Sequence, residues 1–256
     1  MNELDSETRR RLEQLKLDAL AEFAAGAGHE INNPLAIISG YAQLLLSRTE
    51  DADSRTWLGI ILAQTRRAYD MIVDTRTFAR PPKPEPTSFI LADMLRDFLT
   101  RKQKEAEARK IELIRVPSSE ELPTSVFFSD PAHLVTVLDS VLMNAFEAVG
   151  EGGRIAFDVS VPAADGSLLF VVEDNGPGIP DAIRDQIFSP YFSGRQSGRG
   201  LGFGLCKAWR LLEGLGGEID LEPVQRFATG CRWVIHVREM EKAKPDDQTK
   251  VGETKE

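Results

Sequence analysis

From Leu12 to Leu45 apolar residues recur at Leu12, Leu15, Ala19, Phe23, Ala27, Ile31, Leu35, Ile38, Ala42 and Leu45. Steps of three or four place all of them on one helical face, so the pattern predicts one long amphipathic helix. The polar stretch from Thr49 to Ser54 turns the chain. Trp57, Ile61, Gln64, Ala68, Met71, Thr75 and Phe78 then repeat at alternating four and three, which predicts a second long helix antiparallel to the first. Two helices offer apolar stripes with too little partner surface to cover them. Pairing two copies into a four-helix bundle is the simplest remedy, so a homodimer is expected.

The run RPPKPEPTS ends the second helix, since closely spaced prolines favour an extended, semi-rigid linker. Beyond it the pattern predicts a helix over Phe89–Arg109, a strand over Ile111–Val116, and a helix from Asp130 through Ala148 opened by Ser-Asp-Pro. Strands are expected at Arg154–Val161, Leu168–Glu173, Gly217–Leu221 and Cys231–Val237, with a helix over Gly200–Glu213. The fold class is therefore α+β: a helical hairpin over 1–80, a Pro-rich linker over 81–88, and an α/β sandwich over 89–238 with helices on one face of a mixed, mostly antiparallel sheet. The charged segment 239–256 lacks a core pattern and is expected to be disordered.

Composition narrows the partners. A formal net charge of -9 and a pI near 5.1 argue against nucleic acid, which calls for clustered positive charge. No run of about 18 apolar residues and no N-terminal hydrophobic signal region is read, which predicts a cytoplasmic protein without a membrane segment. Cys206 and Cys231 sit in apolar segments, away from any ligand at metal-binding spacing, and are expected to be reduced core thiols.

Three separated elements converge on one ligand chemistry: SVLMNAFEAV within a helix, EDNGPGIP after a strand, and SGRGLGFGLC at a helix start. Asp174 falls at a strand end, where a carboxylate can accept from the exocyclic amino group of a base, while Gly176 and Gly178 permit close backbone approach. The glycines from Gly198 to Gly204 leave backbone N–H groups uncovered where a helix begins, which favours phosphate. Asn144 is a poor mid-helix choice, but its amide oxygen is a suitable hard ligand for Mg²⁺.

The order and spacing of these elements resemble the ATP-binding domain shared by histidine kinases, gyrase, the mismatch-repair ATPases and the heat-shock chaperone ATPase, over roughly Thr87 to Arg238. The resemblance implies that Asn144 holds Mg²⁺, Asp174 reads adenine, Gly176 and Gly178 line the purine pocket, and Gly200, Leu201, Gly202 and Gly204 carry the phosphate loop. IFSPYF (Ile187 to Phe192) is similar to the phenylalanine box. The residues that follow look like a mobile lid, with Arg195 and Arg199 the cations placed to meet phosphates. The water-activating members carry a glutamate four residues before the Asn144 position, where this chain has Ser140. Activating water is therefore not expected of this domain.

The remaining chemistry lies in GHEINNPLAIISGYAQLL (Gly28 to Leu46). His29 projects about 200° away from Ala27 and Ile31 on the apolar stripe, and so faces solvent. Glu30 is placed to take the imidazole proton by way of Nδ1, which raises the nucleophilicity of Nε2. Asn33 stands one turn on, where it can orient a water or polarise a phosphoryl oxygen. Pro34 is expected to loosen or bend the helix just past the histidine.

HEINNPL closely resembles the H box of histidine kinases, and with it the resemblance extends from about Leu15 to Arg238. It implies autophosphorylation of His29 from Mg-ATP, then transfer to an aspartate of a response regulator receiver domain, with dephosphorylation through Asn33 as a possible reverse activity. A different reading is an ATP-gated dimeric interaction module without kinase activity, supported by Ser140 and by Phe203 and Gly204 in place of the usual GLGLA residues.

Overall fold

The computed structural model describes residues 6–116, 124–160, 167–190, 192 and 202–241. Helices α1 (Ser6–Leu46) and α2 (Ala52–Ala79) form the expected hairpin. Asp51 caps α2 by accepting from the Ser54 N–H at 2.8 Å, and Arg55 closes the turn by donating to the carbonyls of Leu46 and Thr49. Gly28 lets the helices approach: a methyl group there would stand 3.1 Å from Ile72 Cγ2.

The face turned to α2 carries the buried Ala21, Ala24 and Gly28, joined by Ala42 of the predicted stripe, whereas Leu15, Phe23, Ile31, Ile38 and Leu45 of that stripe are exposed. The helix thus has two apolar faces, and periodicity alone does not say which one meets its own hairpin partner. Helix α1 also runs unbroken through Pro34. Proline removes only the bond to the carbonyl one turn back, that of Glu30, an exposed residue whose carbonyl is open to water.

The linker leaves α2 extended and is pinned to the second domain through Asp130. Its Oδ2 accepts from the Glu85 N–H at 2.8 Å, while its Oδ1 caps α4 (Pro131–Val149) by accepting from Ala132 and His133. Burial pushes the Asp130 carboxyl up, but the backbone donors of Glu85 and His133 outweigh it and hold it below the ordinary value of 3.8. A depressed carboxyl adds stability that is complete above its unfolded pKa and is lost as pH falls through the folded one. Asp130→Ala should therefore cost about 1–2 kcal/mol at neutral pH, the usual worth of an N-cap. In urea titrations the deficit should vanish in acid below the folded pKa.

Strands β1 (Thr87–Ile90) and β3 (Val126–Ser129) pair antiparallel, with Phe89 and Phe127 in edge contact at 6.2 Å. Neither strand is predicted from the pattern, because four residues are too few to show alternation. Their pairing moves the start of α3 (Leu91–Ala108) from Phe89 to Leu91. The first residues of the expected disordered tail also lie along β3, where the Met240 N–H donates to the Phe128 carbonyl and Glu239 accepts from the Phe128 N–H. Residues 242–256 lie outside the described ones.

The main sheet has the order β2-β4-β5-β7-β6, from β2 (Glu112–Val116), β4 (Arg154–Ser160), β5 (Leu168–Asp174), β6 (Glu218–Glu222) and β7 (Arg232–Val237). The β2–β4 pair is parallel and the others antiparallel, giving the expected mixed sheet. Register stacks Phe157, Val172 and Trp233 in one row and Val159, Phe170 and Ile235 in the next. These rows join the buried side chains of α3, α4 and α5 (Gly204–Gly214) in one core, so the helices cover one face. Helix α4 is long and apolar enough to cross a membrane by length and composition, yet half of it is buried in this core.

Candidate nucleotide site

A cavity of about 810 Å³ opens where α4, the β5–α5 connection and α5 meet the side of α2. Asn144 and Ser140 enter it from α4, Gly178 and Ile179 from the loop after β5, and Gly202 and Gly204 from the start of α5. Asp174 stands behind this wall at the end of β5, fully buried. Its Oδ1 accepts from the Gly176 N–H at 2.8 Å and from the Cys231 N–H at 3.3 Å. The carboxylate is thereby fixed in one orientation beside Cys231, which lines the cavity.

The glycines are needed to different degrees. Gly178 has φ +77, and a methyl group on it would stand 3.1 Å from the Gly230 carbonyl oxygen. Gly230 was not singled out from sequence, yet it is the more constrained: at φ +127 its added methyl would fall 1.7 Å from the Asp174 carbonyl oxygen. By contrast, the nearest atom to a methyl on Gly204 is the Ser140 carbonyl oxygen at 4.0 Å, which leaves room for a side chain. Helix α5 begins at Gly204, not Gly200, because Gly202 is at φ +70 and breaks the helical path. Arg195, Arg199, Gly200 and Leu201 lie outside the described residues.

The loop carrying Gly230 is held by Glu173, the residue before Asp174. Glu173 is buried, and its Oε1 accepts from the N–H groups of Gln225, Arg226 and Phe227 while Arg232 meets Oε2 at 3.0 Å. Burial raises this carboxyl, but the donors, led by Arg226 and Gln225, prevail and its pKa is lowered. No spacing rule points to it, since its partners lie more than fifty residues away.

Ser140 lines the cavity and donates its hydroxyl to the Thr136 carbonyl at 2.9 Å. Cys206 and Cys231 are buried without a disulfide, as expected, and burial pushes the Cys206 thiol up to about 12. Of the predicted phenylalanine box, Ile187 and Phe192 line the cavity, while Phe188 packs on the core in edge contact with Trp233 at 6.1 Å.

The hairpin docks against this domain through α5. Lys207 pairs with Asp74 of α2 at 2.6 Å, Arg210 donates to the Phe78 carbonyl at 3.2 Å, and the rings of Phe78 and Phe203 meet edge-on at 6.3 Å. His29, Glu30 and Asn33 are all exposed on α1 and do not line the cavity. Gly28 packs on Ile72, so His29 is level with the stretch of α2, from Ala63 to Asp74, that does line it.

Residues 19–83 match the His Kinase A (phospho-acceptor) domain, and residues 129–241 match the histidine kinase-, DNA gyrase B-, and HSP90-like ATPase domain. The chain belongs to the histidine kinase family, as its two-domain core. This kinase core is 30% identical over 232 residues to the signal transduction histidine-protein kinase AtoS of Escherichia coli (strain K12), covering 90% of this chain and 37% of that protein. Sporulation kinase D of Bacillus subtilis (strain 168) is 29% identical over 217 residues, covering 85% of this chain and 42% of that protein. The core thus spans less than half the length of these relatives. In fold it is similar to full-length ShkA in complex with AMPPNP (TM-score 0.71, 24% identity, 87% of this chain and 47% of that one). It is also similar to histidine kinase ThkA in complex with response regulator protein TrrA (TM-score 0.62, 23% identity, 94% of this chain and 68% of that one).

Proposed function

We propose that this kinase core transfers the γ-phosphoryl group of Mg-ATP to Nε2 of His29 and then to an aspartate on a response regulator receiver domain. The observation that carries the proposal is the placement of a cavity bearing the nucleotide motifs against the hairpin, level with an exposed His29. Asp174 accepts the adenine amino group, and the N–H groups at the start of α5 meet phosphate. Nε2 attacks the γ-phosphorus in line: the N–P bond forms, the bond to the bridging oxygen breaks, and ADP leaves. Glu30 holds the imidazole proton through Nδ1, keeping Nε2 unprotonated for attack.

A magnesium ion fits the donors present. Among the described residues no cluster of three acidic, His or Cys side chains could cage a metal. Mg²⁺ usually keeps several waters and binds phosphate oxygens with one or two protein ligands, and the Asn144 amide suffices for that. When bound, it neutralises charge on the transferring group.

The exposed Leu15, Phe23, Ile31, Ile38 and Leu45 of α1, with Trp57 and Ile61 of α2, are the surface expected to close a four-helix bundle with a second copy. The complex of ThkA with a response regulator supports the choice of partner. Label placed on the kinase core from γ-labelled ATP should pass to one or a few receiver domains of the source organism within a minute or so. Transfer to none of them, from a core that does take up label, would contradict the second half of the proposal.

A further inference from the structure

The connection from β6 to β7 runs behind Gly178 and Asp174. None of its residues from Pro223 to Gly230 lines the cavity, whereas Cys231, which follows, does. Gly230 is pressed between the Gly178 turn and the Asp174 carbonyl. Cys231 and Asp174 exchange two contacts: the Cys231 N–H donates to Asp174 Oδ1 at 3.3 Å, and the Asp174 N–H donates to the Cys231 carbonyl at 2.9 Å. With the Gly176 N–H as the other donor to Oδ1, the carboxylate assigned to the base is aimed by the end of this connection.

The connection has no helix or strand of its own to fix it. Glu173 does so. The successive N–H groups of Gln225, Arg226 and Phe227 all donate to its Oε1, and Arg232 meets Oε2 at 3.0 Å. Consecutive backbone donors of this kind form an anion-binding nest, occupied here by the chain's own buried carboxylate. The Arg154 guanidinium over the Phe227 ring, 5.2 Å from its centre, ties the same connection to β4. Glu173 and Asp174 are neighbours on β5 and so point to opposite faces of the sheet. One carboxylate anchors the connection on one face, and the connection returns to orient the other.

We propose that Glu173 is a positioning residue for base recognition: by anchoring the β6–β7 connection it holds Gly230 and Cys231 where they aim the Asp174 carboxylate at the exocyclic amino group of adenine. This role rests on the nucleotide reading above, and it falls to a residue that does not itself touch the base. Its consequence is that selectivity for the amino group, more than affinity for the rest of the nucleotide, depends on Glu173.

The test is titration calorimetry of the full 256-residue chain with Mg-ADP and, separately, with the magnesium complex of purine riboside diphosphate, which lacks the amino group. Glu173→Gln should weaken Mg-ADP about tenfold, as expected when a charge-assisted hydrogen bond loses its alignment, and should leave the analogue within about twofold of wild type. Glu173→Asp, which keeps the charge but withdraws it by one methylene, should shift the ratio of the two affinities the same way by less, and carries the comparison if the glutamine variant does not fold. Asp130→Ala, destabilised at the opposite end of α4 from Asn144, should keep the wild-type ratio. An equal loss for both ligands, an Mg-ADP affinity within about twofold of wild type, or the same change of ratio in Asp130→Ala would overturn the assignment. A wild-type chain that binds the two ligands equally would instead sink the reading of the base at Asp174, and the role of Glu173 with it.

Discussion

Asp174→Asn is expected to weaken adenine-nucleotide binding by at least about a hundredfold while leaving the fold intact. One carboxylate oxygen already accepts from the backbone N–H groups of Gly176 and Cys231, so an asparagine must keep its carbonyl oxygen there. The amide NH₂ then occupies the second position, and a donor faces the amino group of the base where an acceptor stood. The loss combines a charged hydrogen bond with an unmet donor, about 3 kcal/mol or more. Asparagine is isosteric with aspartate and keeps both backbone contacts, so the thermal midpoint should move little. Affinities for Mg-ADP measured by calorimetry, beside thermal melts of the same samples, separate the two effects. Unchanged affinity would show that the base is not read at Asp174.

Much of this site is legible in the sequence because its parts are local. Gly178 and Gly202 announce positive φ next to a strand end or a helix start, and Asn144 stands out because asparagine is a poor helix interior residue. Gly230 announces nothing comparable. Its constraint is set by the Asp174 carbonyl, a neighbour only after β5 and β7 have paired. Glu173 is hidden for the same reason: an acidic residue on a strand reads as solvent-facing until the loop with Gln225, Arg226 and Phe227 folds over it.

The hairpin illustrates a different limit. Steps of three and four predict both helices well, but α1 carries apolar residues on two faces, and most of the large side chains of the predicted stripe are exposed in the single hairpin. An amphipathic pattern says that a face will be covered, not by which partner. The charged stripe of α2 was equally unreadable: Arg67, Asp70 and Asp74 look like a solvated face until α5 is placed against them through Lys207. The short strands β1 and β3 escape because long-range pairing, not periodicity, makes them strands.

Phosphorylation of His29 by the kinase core's own Mg-ATP is open to a single labelling experiment. Wild-type chain and the His29→Gln variant are incubated with γ-labelled Mg-ATP, and the bound label is tested for stability in acid and in base. The wild type should carry label that is lost in acid and kept in base, and His29→Gln none, although that variant should still bind ATP with wild-type affinity because the exposed His29 does not line the cavity. Label that persists on His29→Gln, or a wild type that binds nucleotide yet takes up no label, would contradict it.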